Sequence, residues 1–231
     1  MSAKARAPGF VIAAAGLRAE ARIAERSGHV VAVAGGSDQV RLAALLRKEI
    51  ARGGNAVISF GICAGLAPGS RAGTCLIGRE VVHGDARYPT DRAWATRISS
   101  AIGALGLVTI AGVDRPLTGA SEKQALHAAT GATGADMESH IAARIAREHR
   151  LPFAVLRVIA DPAERNLPPA ALVGMRPDGG LNLAAVLGSL LRSPAQLPAL
   201  LRVAADTRAA MAALLRCRDL LGPGLGFGDL G

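Results

Sequence analysis

The sequence predicts an α/β fold: a three-layer αβα sandwich around a largely parallel mixed sheet, with a helical C-terminal extension. Three observations carry this. Short apolar runs bounded by turn residues recur between Phe10 and Asp161. Segments of helical period lie between them. Beyond about residue 180 the strand pattern stops and only helical pattern continues. Alternating buried strands and helices are best satisfied by helices covering both faces of a central sheet.

The elements follow in order. "FVIAAAG" (Phe10 to Gly16), "VVAVAGG" (Val30 to Gly36) and "AVISFGICAG" (Ala56 to Gly65) read as strands, as do "TCLIGREVV" (Thr74 to Val82), "LVTIAGV" (Leu107 to Val113) and "PFAVLRVIAD" (Pro152 to Asp161). The helix "SDQVRLAALLRKEIARGG" opens on Ser37 or Asp38 as a cap and stops at Gly53-Gly54. "TDRAWATRISSAIGAL" and "SEKQALHAAT" are similar. "MESHIAARIAREHR" sets Ile141, Ala142 and Ile145 on one stripe and Arg144, Arg147 and Glu148 on the other. "DPAERNLPPAALVGMRPDGG" reads as a long loop. The helical stretch after it is broken at Pro194 and Pro198, and the tail "PGLGFGDLG" is expected to be loose. The division is a core of residues 8–180 and an extension of residues 181–231.

The chain has 231 residues, half of them hydrophobic, which suffices for one sizeable core. Aromatics are only 3%, so aliphatic side chains must fill it. The net charge of +9 raises nucleic acid and anionic membrane as partners. The arginines are scattered, with no basic run and no aromatic stacking motif, so no nucleic-acid partner is expected. Cys63, Cys75 and Cys217 form an odd set without metal spacing, which fits a reducing, cytoplasmic compartment. The five histidines are equally dispersed, and no metal site is expected. Lys4 and Arg6 before "FVIAAAGL" mimic a leader peptide. The run is short for one, and Arg18, Glu20 and Arg22 follow at once, so it reads as a first strand.

Several polar residues stand where an open α/β sheet binds ligands, beyond the carboxyl ends of its strands. Glu20 follows the first strand, "FGICAGLAPG" closes the third, Tyr88 lies in "ARYPTD", and Asp161 ends the last. Each alone has an ordinary explanation in turn chemistry. Together they have more weight. "GLRAEARI", "GICAGLAPGSRAGTCLI", "ARYPTD" and "ADMESHIAARIAREHRLPFAVLRVIAD" make the chain resemble the nucleoside phosphorylase and methylthioadenosine/S-adenosylhomocysteine nucleosidase superfamily over most of residues 10–165. "DMESHIAARIA", "LPFAVLRVIADPAERNLPPAALVGMRPDG" and "SPAQLPALLR" resemble its hopanoid-associated branch, which removes adenine from adenosylhopane during bacteriohopanepolyol synthesis.

The resemblance implies an enzyme that breaks an N-glycosidic bond. Asp161 matches the general acid for the purine N7, and Glu20 the base that activates water. Glu138 matches the carboxylate that grips the ribose hydroxyls, with Met137 packed against the sugar. Asp136 is expected to cap the following helix. Arg157 is expected to face the same pocket and orient water or phosphate. Gly61 and Gly65 are expected to let the backbone approach the nucleoside, and Tyr88 to contact it. Arg18 matches a phosphate-binding arginine of the phosphorylases, so hydrolysis and phosphorolysis stay open. Two departures bear on the nucleophile: Ile62 and Cys63 stand in a loop that often carries serine, and Ala160 replaces the usual serine before the acid. No cofactor is implied, with inorganic phosphate a co-substrate only if the reaction is phosphorolytic. A homodimer is implied. The leucines and arginines of the C-terminal helices read either as an ordinary helix pair that covers the core or as peripheral contact with an anionic inner membrane. The alternatives are a soluble purine nucleoside phosphorylase, a methylthioadenosine-type nucleosidase, or a nucleoside- or lipid-binding protein without turnover. Intact Glu20, Glu138 and Asp161 argue against the last.

Overall fold

The computed structural model describes residues 9–26, 28–104, 106–173, 180 and 182–228. Along the chain these form β1 (Phe10–Ala15), α1 (Arg18–Ala24), β2 (Val30–Ala34), α2 (Gln39–Ala51), β3 (Gly54–Gly65), β4 (Cys75–His83) and β5 (Ala86–Pro89). There follow α3 (Arg92–Ile102), β6 (Leu107–Gly112), α4 (Ala120–Thr130), β7 (Gly134–Asp136), α5 (Ser139–Glu148) and β8 (Phe153–Asp161). The chain continues with α6 (Pro169–Val173), α7 (Leu183–Arg192), a 3-10 turn (Pro194–Gln196) and α8 (Leu197–Leu221). Every strand expected from the sequence is present. β5 and β7 were not anticipated, because four and three residues are too few to show a period of two.

The strands form one mixed sheet in the order β2-β1-β3-β7-β6-β4-β5, with β8 paired to both β3 and β4. β1 runs parallel to β2 and β3, β3 to β8, and β6 to β4 and β7. Three pairings are antiparallel: β3 with β7, β4 with β5, and β4 with β8. Side chains alternate across the strands, so each strand feeds two cores. Val11, Ala13, Ile58, Phe60, Leu156 and Val158 meet Ala24 of α1, Trp94 and Ile98 of α3, and Ala210 and Leu214 of α8. Ile12, Ala14, Val57, Val155 and Ile159 meet Leu42 and Leu46 of α2 and Ile141 and Ile145 of α5. That alternation makes the three layers.

The sheet forks at the end of β3. A bulge lies between Cys63 and Ala64, after which Ala64 faces Asp161 of β8 on one side and Ala135 of β7 on the other. The acid-bearing ends of two strands are thereby brought to one place.

Helix starts obey the expected chemistry. Asp38, not Ser37, caps α2 by accepting the Arg41 amide, and Asp91 caps α3 by accepting that of Trp94. Of the two prolines expected to interrupt the C-terminal helices, Pro198 does not, because it is the second residue of α8. An amide in the first turn has no intrahelical acceptor to lose.

The tail is not loose through Phe227. Leu225 is fully buried, and its carbonyl accepts a 2.9 Å hydrogen bond from Trp94 Nε1. The Phe227 ring lies tilted on that of Trp94, 4.8 Å between centroids. Sulfur meets sulfur where α8 crosses β4, with Cys75 Sγ 2.7 Å from Cys217 Sγ. α8 is thus part of the main core. Trp94→Ala should lower unfolding free energy by about 3–5 kcal/mol, measured by urea titration. A loss under about 1 kcal/mol would mean that the tail does not close over α3.

Candidate active site

A cavity of about 370 Å³ opens at the fork, a size suited to a small organic ligand. Glu20, Asp136, Met137, Glu138 and Asp161 all line it, together with Cys63. They come from α1, the β7–α5 junction, the end of β8 and the end of β3.

Glu20 is the third residue of α1, and its carboxylate reaches back to the helix start. Oε2 accepts the amides of Gly16 and Leu17 at 2.9 and 2.7 Å, and Oε1 accepts that of Ile62 at 2.8 Å. This is half of a capping box, and it also fixes the carboxylate in the cavity wall. The side chain is buried, and burial pushes its pKa up, against the pull of Arg157 and the three amides. A carboxylate so placed is a stronger base than one in water.

Arg157 lies behind this wall rather than in it. It is fully buried in β8 and does not line the cavity, which corrects its expected exposure to ligand. Its Nε is 3.1 Å from Asp136 Oδ2, and one terminal nitrogen is 3.2 Å from Glu138 Oε2. The other terminal nitrogen donates to Ser59 Oγ at 2.5 Å. Burial opposes the Arg157 charge, but Asp136, Glu138 and Glu20 outweigh it and hold the guanidinium above its usual range. Glu138 is pushed up by its burial, with Arg157 opposing and Asp136 and Glu20 adding to the rise. Asp136 does cap α5: Oδ1 accepts the amides of Glu138 and Ser139, and Oδ2 accepts the Ser139 hydroxyl.

Asp161 has a partner that sequence reasoning missed. Lys123 of α4 is fully buried, and its Nζ is 2.6 Å from Asp161 Oδ2. Nζ also donates to the carbonyls of Pro162 and Arg165 at 3.0 and 2.9 Å. Burial raises the Asp161 pKa and Lys123 pulls against it, leaving the carboxyl above the usual range. No sequence signal marks Lys123, since its partner lies far along the chain. Cys63, which stands in the loop that often carries serine, sits amid Asp136, Arg157, Glu20 and Asp161. Burial keeps it neutral by pushing its pKa well up.

Four expected residues fall elsewhere. Gly61 and Gly65 do not line the cavity. A Cβ at Gly61 would sit 2.6 Å from Glu20 Oε1 and 2.9 Å from an Arg157 nitrogen, so the glycine makes room for the charged cluster rather than for a ligand. A Cβ at Gly65 would meet Ser70 Oγ at 2.3 Å. Tyr88 is buried on β5 in a separate cavity, with the Arg147 guanidinium 4.7 Å over its ring. Arg18 is exposed and outside the cavity lining. The rim is instead apolar, with Leu117, Leu167, Ala171 and Val203.

The Phosphorylase superfamily profile matches residues 23–192, well over half of the chain. The protein belongs to that superfamily. It is accordingly a nucleoside-cleaving enzyme. No curated protein matches the sequence. Among solved structures, the fold resembles a Helicobacter pylori MTAN mutant with 5′-methylthioadenosine in its active site. That likeness has TM-score 0.63 and 14% identity, over 92% of this chain and 98% of the other. Futalosine hydrolase of the same organism gives 0.61 and 15%, over 90% and 97%. The Streptococcus pneumoniae 5′-methylthioadenosine/S-adenosylhomocysteine nucleosidase with a transition-state inhibitor gives 0.61 and 15%, over 92% and 99%. At these identities the likeness is one of fold.

In this superfamily member three carboxylates, Glu20, Asp136 and Glu138, surround one buried cation, so stability and site charge are opposed. Glu138 has its folded pKa above its unfolded one. Its contribution is present below the unfolded pKa and lost as pH rises through the folded value. Glu138→Gln removes that loss. The variant should melt above the wild type at alkaline pH and converge with it in acid, in thermal scans from roughly pH 5 to 9. A lower melting temperature throughout would show that the Arg157 pair outweighs the burial of charge.

Proposed function

We propose that the protein cleaves the N-glycosidic bond of an adenine nucleoside with water, and that its substrate is adenosylhopane, giving adenine and ribosylhopane. The observation that carries the reading is the convergence of Glu20, Glu138 and Asp161 on one cavity from three separate elements.

The chemistry needs three groups. As the C–N bond breaks, its electrons go to the purine, which leaves readily once N7 gains a proton; Asp161 supplies it. A pKa raised by burial suits a carboxyl to this task near neutral pH. Lys123 occupies Oδ2, so Oδ1 is the oxygen offered to the base. The sugar becomes cationic and is held against Glu138, whose charge favours the transition state over the neutral substrate. Glu20 takes a proton from the water whose oxygen bonds to the anomeric carbon. Met137 provides an apolar floor for the sugar. Arg157 acts from behind, fixing Glu138 in place.

Water is favoured over phosphate by the lining itself. Among the described residues, no arginine or lysine lines the cavity, while four carboxylates do. A phosphate dianion would enter against that charge without a cationic partner.

The lipid reading is supported by what adjoins the cavity. Val203 and Thr207 of α8 reach its wall beside the apolar rim. Leu187 and Leu191 of α7, and Leu197 and Leu201 of α8, are exposed at 60%, 83%, 46% and 61%. Each pair is spaced to share one helix face. Such leucines, with Arg192, Arg202 and Arg208 nearby in sequence, suit a bilayer surface that holds a polycyclic tail. Among the described residues no helix is long and apolar enough to cross a membrane.

Purified protein should release adenine from adenosylhopane in phosphate-free buffer; strict dependence on phosphate would reverse the choice of nucleophile. Faster turnover of methylthioadenosine than of the lipid nucleoside would remove the hopanoid substrate and leave the nucleosidase. Asp161→Asn should lower kcat roughly 10²–10⁴-fold. Lys123→Met removes the charge that opposes Asp161 protonation. The alkaline limb of the kcat/KM profile should move to higher pH, because the acid keeps its proton longer. An unmoved limb would mean that a different group delivers the proton.

A further inference from the structure

We infer that His83, Asp114 and His140 form a binding site for a divalent transition-metal ion of the zinc class beside the cavity rim. The three come from the end of β4, the segment after β6 and the second residue of α5. His83 Nε2 is 3.3 Å from the Asp114 carboxylate, and His140 Nε2 is 3.4 Å from its Oδ1. One donor atom from each residue lies within 4.8 Å of the other two. A tetrahedral ion with bonds of about 2.0–2.1 Å holds its ligands roughly 3.4 Å apart, so the two nitrogen–oxygen spacings are compatible with a bound ion between them.

A second observation is burial. His140 is 4% exposed; its Nδ1 has no hydrogen-bond partner among the described residues, and its Nε2 has only the long 3.4 Å contact to Asp114. A buried imidazole so weakly satisfied is unusual, and an ion at Nε2 would satisfy it. Its ring is fixed by close packing on Gly112, where a Cβ would come within 2.4 Å of the His140 Cβ. His83 is the adjustable ligand. The two rings lie face to face, 4.2 Å apart and 22° from parallel. A metal lies in the plane of each imidazole it binds, so the half-exposed His83 ring must turn out of the stack on binding. Gln39 Nε2 donates to Asp114 Oδ1 at 3.0 Å and orients the carboxylate. Two imidazoles and one carboxylate select zinc-like ions over magnesium or calcium. Asp114 is largely exposed, which leaves room for a water as fourth ligand.

The ion would fasten the segment that carries Val113, Pro116 and Leu117, one wall of the cavity, to β4 and α5. It takes no part in the bond-breaking step, and the inference stands apart from the choice of substrate.

The test uses the full chain without an affinity tag, stripped with chelator and titrated with Co(II) and then Zn(II). Expected are one ion per chain, a visible Co(II) spectrum of four-coordinate type without thiolate bands, and a higher melting temperature with Zn(II). His83→Ala, at a half-exposed position, and Asp114→Ala, at an exposed one, should weaken Zn(II) binding by roughly tenfold or more, and Cys75→Ser should not. Equal affinity in the His83 and Asp114 variants overturns the proposal. So does binding that is lost in Cys75→Ser, which would place the ion on the Cys75–Cys217 thiols.

Discussion

One buried guanidinium organises the site. Arg157 sits in the middle of β8, level with Gly61 of β3 and Leu76 of β4, with no access to solvent. Around it gather Asp136, Glu138 and the carboxylate of Glu20. A charge so deep is tolerable only when paired and hydrogen-bonded. The three acids need the arginine for the same reason. Because one cation serves three buried carboxylates, Glu138 and Glu20 are held above the usual carboxylate range and give up their protons reluctantly in the resting protein. A sugar that turns cationic beside them favours their ionised form. The absence of a side chain at residue 61 is part of the arrangement, since any Cβ would displace Glu20 or the arginine.

The second acid is kept apart from this cluster by topology. β3 carries both neighbours: its body pairs with β8, and its last two residues pair with β7. Asp161 and Asp136 therefore end strands on opposite sides of Ala64, with the cavity between them. Asp161 has its own cation in Lys123, supplied from α4. The two sides of the cavity differ in their electrostatics: one has Glu20, Asp136 and Glu138 sharing Arg157, and the other has Asp161 with its own ammonium partner. The rest of the wall is mostly apolar, and α8 contributes Val203 and Thr207 to it. The C-terminal helix thus belongs to the site as much as to the core, where Ala210, Leu214 and Cys217 anchor it.

Local chemistry was legible in the residues themselves. Apolar runs gave six strands because a buried strand needs nothing more than a continuous apolar run and turn residues at its ends. The cap of α5 was legible in Asp136, because its side chain bonds amides two and three residues ahead. Glu20 and Asp161 could be singled out by their places after the first strand and at the end of the last, and Glu138 by the resemblance of its motif to the superfamily. Where packing at a distance decides, the residues misled. Gly61 and Gly65 were read as room for a ligand, and they are room for Glu20 and Ser70. Tyr88 was placed with the nucleoside by its motif, yet the short β5 turns it into a different cavity.

The sequence by itself determined the alternation of strands and helices, the identity of the acids and the start of the helix that follows Met137. Those depend on contacts between neighbours along the chain, where periodicity and capping leave a visible trace. Only the tertiary structure decided that Arg157 is shut behind the wall, that Lys123 meets Asp161, that Cys63 lies between the acids, and that the last helix lines the cavity. Each of those joins residues with dozens of others between them. Their meeting is fixed by the fork in β3 and the packing of helices on both faces, which no local pattern records.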